Sequence, residues 1–155
     1  MAKHQWTIVC QQAIVDRFTN NLTIVGVVEQ VNIELQKLKE ATEVRKQPVV
    51  PTSFSLVSMW HRSDTAKEER SSGRLSIKNP KGKTLFATQQ QEIDLTGDKL
   101  RARNIFNFRG FPLEESGSYR VYVQTLLAPG KWKTVATIEI PVRISVLEGS
   151  GKTLN

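Results

Sequence analysis

The sequence predicts an all-β fold, a single antiparallel β-sandwich of about eight strands with immunoglobulin-like turn spacing. Three observations carry that expectation. Apolar and polar residues alternate over long stretches, most cleanly from Trp132 to Val146, where Trp132, Ala136, Ile138, Ile140, Val142, Ile144 and Val146 share one parity. This is the period of a strand that buries one face and wets the other. Turn-forming clusters, such as Asn79-Pro80-Lys81-Gly82 and Ala128-Pro129-Gly130-Lys131, separate the alternating runs. Finally, Gly117-Ser118-Tyr119 has the form of a tyrosine corner, in which a Tyr opening a late strand bonds its hydroxyl back to upstream backbone. A barrel of similar strand count is the alternative architecture.

The elements follow in order. Trp6 to Val15 is the first strand, and Asp16 to Asn21 is a turn rich in residues that tolerate left-handed backbone. In the next strand, Leu22 to Leu35, the apolar parity slips: Leu22, Ile24 and Val28 give way to Val31, Ile33 and Leu35. Such a slip predicts a bulge near Val28 to Gln30. The stretch 36–47 reads as a short helix or a loop, ended by Pro48 and Pro51. Ser53 to Arg62 is apolar on both parities, Phe54, Leu56 and Trp60 against Val57 and Met59, as in a central strand covered on both sides or one whose faces change partner.

A charged loop over Asp64 to Ser72 leads to strands at Arg74 to Lys78 and Thr84 to Leu95. Lys99 to Phe108 alternates again, with Leu100, Ala102, Phe106 and Phe108 on one face. Between it and the strand opened by Tyr119 stands the turn Pro112 to Gly117. A simple hairpin there would tend to set Arg109 opposite Arg120, an unfavourable pairing of like charges, which favours the corner. In the last strand Pro141 lacks a ladder donor and predicts an edge strand or a local break.

The 155 residues suit one domain, 1–147, with a flexible tail over 148–155. A domain of this size buries about 70% of its unfolded surface and needs no disulfide or metal to fold. The single cysteine, Cys10, has no internal partner, no run approaches a membrane span, and MAKHQW lacks the signal-peptide pattern. These features lead to an expectation of a cytoplasmic protein without membrane association. The net charge of +7, from 22 basic and 15 acidic residues, permits contact with polyanions without requiring it.

Four segments carry a resemblance: IVCQQAIVDRFTNNLTIVGVVEQV from Ile8, FSLVSMW from Phe54, Pro80-Lys81-Gly82-Lys83, and Gly117-Ser118-Tyr119-Arg120-Val121. Together they resemble a family of small bacterial proteins known only as a domain of unknown function. The chain departs from that pattern at Gln11, where an acidic residue is expected. The resemblance implies a compact β-sandwich, with no assigned activity and no catalytic residues to carry over.

Catalytic constellations are thin. Gly149-Ser150-Gly151-Lys152-Thr153 suggests a phosphate-binding loop, but the required first glycine is replaced by Val146. Cys10 sits in an apolar strand and reads as a small buried hydrophobe. Two histidines, His4 and His61, and one cysteine do not compose a zinc site, and no cofactor motif occurs. No enzyme is expected.

The best candidate is a basic strand face, Lys99, Arg101 and Arg103, with Arg109 further along. On one strand such charges recur about every 7 Å, near the phosphate spacing of one nucleic-acid strand. Tyr122 stands ready to stack on a base. The bland counterpart is the solvated outer face every sandwich has, where Lys and Arg also deter edge pairing. The sequence thus leads to a non-catalytic protein-interaction module that binds a protein partner or itself. Nucleic-acid or other polyanion binding is the alternative. Tyr119, Gly117 and Trp60 are the residues expected to hold the fold.

Overall fold

The computed structural model describes residues 2–36, 49–113 and 115–147 as strands joined by turns. Among them run β1 (Lys3–Val15), β2 (Leu22–Val27), β3 (Val31–Gln36), β4 (Val49–His61) and β5 (Glu69–Lys78). They are followed by β6 (Thr84–Ala87), β7 (Gln91–Leu95), β8 (Arg101–Pro112), β9 (Gly117–Ala128) and β10 (Lys131–Leu147). The fold is all-β. The predicted helix or loop lies, past Gln36, outside the described residues, as does the 148–155 tail.

Two sheets form. One is antiparallel, in the order β2-β1-β4-β8; the other runs β3-β10-β9-β5-β6, with β7 also on β5. Two expectations need correction. There are ten described strands instead of eight, because two of the predicted strands are broken. The parity slip at Val28 to Gln30 is not a bulge within one strand. It is the point where the chain leaves the first sheet as β2 and enters the second as β3. Changing sheets reverses which parity faces the core, which is why the pattern slips. The other break falls at Thr88, whose amide and hydroxyl both bond Leu75 on β5 (2.8 and 2.9 Å) between the β6 and β7 pairings.

The second correction concerns direction. β3 pairs with β10 in parallel, Val31 opposite Val142 and Ile33 opposite Ile144, so the second sheet is mixed and the fold is not purely antiparallel. β3 arrives from the other sheet and not through a hairpin, so no tight turn forces it antiparallel. At Pro141 the expected edge is present. β10 is flanked by β9 alone up to this residue, and the β3 ladder starts at Val142. β9 pairs with the strand as far as Val142 and β3 from Val142 onward, so the proline stands where one neighbour gives way to the other and deprives no β3 ladder of a donor.

Both sheets feed one core. Val9, Phe54, Leu56, Trp60, Phe106 and Phe108 come from the first; Leu75, Ile77, Ile93, Tyr119, Val121, Val123, Ile140 and Val142 come from the second. Phe54 stacks on Phe108 at 5.0 Å between ring centroids, and Phe86 meets Phe108 edge-on at 5.2 Å. Trp60 is fully buried, with the His4 ring against it at 5.2 Å.

The reading of β4 as covered on both sides is correct, since Leu56 and Val57 are both fully buried. β1 supplies part of the reason. It pairs with β4 only as far as Cys10 but continues to Val15 alongside β2. Freed from β4, the β1–β2 hairpin brings its turn to β8, two strands away in the sheet order: Arg103 donates to the Asn20 carbonyl at 2.9 Å and also bonds the Asn20 side-chain oxygen.

The turn before β9 is the expected tyrosine corner. The Tyr119 hydroxyl donates to the Glu115 carbonyl at 3.0 Å and accepts from the Glu115 amide at 3.2 Å, while the side chain is fully buried. β8 and β9 lie in different sheets, so Arg109 stands opposite Ser53, and Arg120 stands opposite Glu139 on one flank and Lys78 on the other. The hairpin alternative does not occur.

Candidate functional site

The basic face is present as a face, but its charges are partly spent. Odd-numbered positions of β8 point away from the core, so Arg101, Arg103 and Arg109 share a side, while Ala102, Phe106 and Phe108 turn inward. Lys99 precedes the strand and is ion-paired with Asp94. Hydrogen bonding from Lys99, then from Thr96, holds the Asp94 carboxyl at about 2, so the carboxylate stays charged and offsets the Lys99 charge locally. Arg103 is committed to Asn20, as described above. Among the described residues, Arg101 and Arg109 are the stripe cations left without such a partner. Tyr122 lies elsewhere, on β9 in the other sheet with Lys78 over its ring at 5.1 Å, and is not beside the stripe.

A different surface stands out. Six large hydrophobic side chains among the described residues are exposed, and four of them belong to the β1–β2 hairpin: Ile14, Phe18, Val25 and Val27. Phe18 is 99% exposed and Val27 61%. Phe18 is not on a loose loop. The Asp16 carboxylate accepts the Phe18 amide at 2.9 Å, the Thr19 amide at 2.7 Å and the Thr19 hydroxyl at 3.0 Å. The bonds from Thr19, then from Phe18, lower the Asp16 pKa. Asn20 takes a positive φ of 57° and closes the turn onto Asp16 through its amide (2.9 Å). Asp and Asn do here what their side chains favour in turns, and the aromatic ring is left facing solvent.

Beside the turn, β2 is a sheet edge of sequence Leu-Thr-Ile-Val-Gly-Val, with neither charge nor proline to protect it. Edges of this composition are templates for strand addition. Sequence reading missed this hairpin as a surface. The signal was there in two forms: an aromatic residue inside Asp16-Arg17-Phe18-Thr19-Asn20-Asn21, and apolar residues on both parities of Leu22 to Val27.

A family of unknown function, DUF6941, matches residues 5–140. The chain belongs to the DUF6941 family. The matched span takes in the hairpin, the basic face and the tyrosine corner. No curated protein matches the chain. Chemistry in this DUF6941 protein therefore has to be read from its own residues.

Cys10 is fully buried; its thiol donates to the Ser55 carbonyl at 3.6 Å, and burial pushes its pKa up, away from the reactive thiolate. Among the described residues no three His, Cys, Asp or Glu side chains gather where a metal ion would be held. None of the described segments is a helix long and apolar enough to cross a membrane. The other structural residues have clear tasks. Trp60 fills the core, and Gly117 opens β9 at a φ of 144°. Arg62, not singled out from sequence, is buried and donates to the carbonyls of Thr65 (3.1 Å), Leu95 (2.7 Å) and Lys99 (3.2 Å), tying the chain after β4 to the turn after β7.

Proposed function

We propose that this protein is a non-catalytic, cytosolic protein-interaction module built on a β-sandwich, and that it presents the β1–β2 hairpin to a partner protein. One observation carries the reading: Phe18 is 99% exposed on a turn held by the three bonds to Asp16, with Ile14, Val25 and Val27 exposed along the same hairpin. Isolated exposed hydrophobics are ordinary, but a cluster on one element marks an interaction surface. A rigid aromatic tip loses little entropy on docking and suits a partner pocket. The unprotected β2 edge supports addition of a partner strand next to it. The sandwich reading is supported by two sheets that share one core, with a tyrosine corner where the chain passes between them.

The polyanion alternative has less behind it, because Lys99 and Arg103 are already engaged within the chain. The deciding experiment is capture from native cytosol with the full chain and with Phe18→Ala/Val27→Asp, washed at moderate salt. A defined protein retained by the first and lost from the second is expected. Equal retention by both, or retention of nucleic acid alone, overturns the reading.

A further inference from the structure

Between the two sheets, where the chain crosses from β2 to β3, lies a cavity of about 200 Å³. Its floor comes from both sheets: Val9 and Phe54 from the first, Ile140 and Val142 from the second, all four buried. Val28 and Val31, half-buried, wall it on the crossover side. That wall is fixed at both ends, because the Val28 amide donates to the Val9 carbonyl at 2.8 Å and Val31 opens the β3 ladder opposite Val142. The mouth carries the exposed amides Gln11, Gln30 and Asn32. Gln30 donates to the Asn32 side-chain oxygen, so each of these two amides keeps its other group for a ligand. Among the described residues no charged side chain lines the cavity, although 24% of the chain is charged. Protein interiors hold few voids larger than a water molecule. A cavity of about 150 Å³ lined by aliphatic and aromatic side chains stays dry and takes up benzene, and this one is somewhat larger and opens to solvent.

We propose that this cavity binds a small uncharged amphiphile, with an aromatic or branched aliphatic body of about six to eight carbons on the apolar floor and a hydroxyl or amide head at the mouth. A head that both donates and accepts suits amides, which offer one group of each kind. A charged head would give up hydration and find no opposite charge in the lining, so the site selects the neutral version of a given body over its ionic ones. The proposal does not rest on the hairpin as a docking surface, since none of Ile14, Phe18, Val25 and Val27 lines the cavity.

The test titrates the full chain at neutral pH with benzyl alcohol, benzoate and benzylamine, probes that share a ring and differ in charge, following backbone amide resonances. Saturable shifts confined to the surroundings of Val9, Val28, Val31 and Val142 are expected with benzyl alcohol, at an affinity about fivefold or more above either ion. Val31→Phe, which fills the cavity from its wall, should abolish those shifts in a chain whose amide spectrum remains that of a folded protein. Gln11→Glu, at the exposed mouth, leaves the core intact and decides the matter should Val31→Phe not fold. It should place benzylamine ahead of benzoate while moving the benzyl alcohol affinity by no more than about twofold. Shifts that never saturate, equal affinities for the three probes, native-like binding by folded Val31→Phe, or an unchanged order of the two ions in Gln11→Glu would overturn the proposal.

Discussion

Gly117 and Pro80 touch so closely that a Cβ on the glycine would stand 2.7 Å from the proline Cγ and 2.9 Å from its Cβ. The contact packs the β5–β6 turn against the first residue of β9. That turn is itself braced: the Asn79 side-chain oxygen accepts the Lys83 amide at 2.8 Å, and Lys81 is ion-paired with Glu115 at 2.8 Å. The tyrosine corner is thus buttressed from outside as well as bonded from within.

Gly117→Ala should destabilise the fold by roughly 1–3 kcal/mol, because its φ of 144° is strained for any side chain and the added methyl collides with Pro80. A urea denaturation series measures it. Pairing it with Pro80→Ala should recover part of the loss, the collision but not the backbone strain. Full recovery would show that φ contributes nothing.

Tyr119→Phe removes a hydroxyl that both donates to and accepts from Glu115. It should cost about 1–2 kcal/mol, or a few degrees in Tm, since each net hydrogen bond contributes about 1 kcal/mol. An unchanged melting temperature would mean that the corner is geometry without energy.

Arg103→Ala should act on the hairpin, not on a ligand. The Arg103 bonds to Asn20 are exposed, so global stability should move by no more than about 1 kcal/mol. Amide hydrogen exchange in Asp16 to Asn21 should accelerate, and retention on a heparin column should fall no more than for Arg101→Ala. A selective loss of heparin binding in the Arg103 variant would return the basic face to candidacy.

His4 sets a pH dependence. Burial lowers its pKa from the usual 6.5, with a smaller opposing contribution from the Trp6 backbone. The unfolded chain therefore takes up a proton at a pH where the folded protein does not. The contribution is full above about pH 6.5 and is lost as pH falls through the range between there and the lowered folded value. Denaturation midpoints should fall between pH 7.5 and pH 5.5 in the native chain and fall less in His4→Gln. A midpoint that rises on acidification would contradict this.

Local order determined much of this protein. The period of two gave the strands, turn chemistry gave their limits, and Gly117-Ser118-Tyr119 gave the corner because its geometry is contained within a few consecutive residues. Even the parity slip at Val28 to Gln30 was visible, since burying the opposite side of a strand leaves a trace in its pattern.

What the slip meant was not visible. A bulge and a change of sheet shift parity alike, and only the neighbours of β3 decide between them. The parallel pairing of β3 with β10, the reach of Asn20 to Arg103 and the pairing of Lys99 with Asp94 all join groups brought together by sheet order or turn geometry. Charge on a strand can be read from sequence, but whether that charge is free cannot, because its partner is set by packing. The same limit applies to Phe18: its place in the turn is legible, but its exposure is a relation between the ring and the space beside it, and only the tertiary structure defines that space.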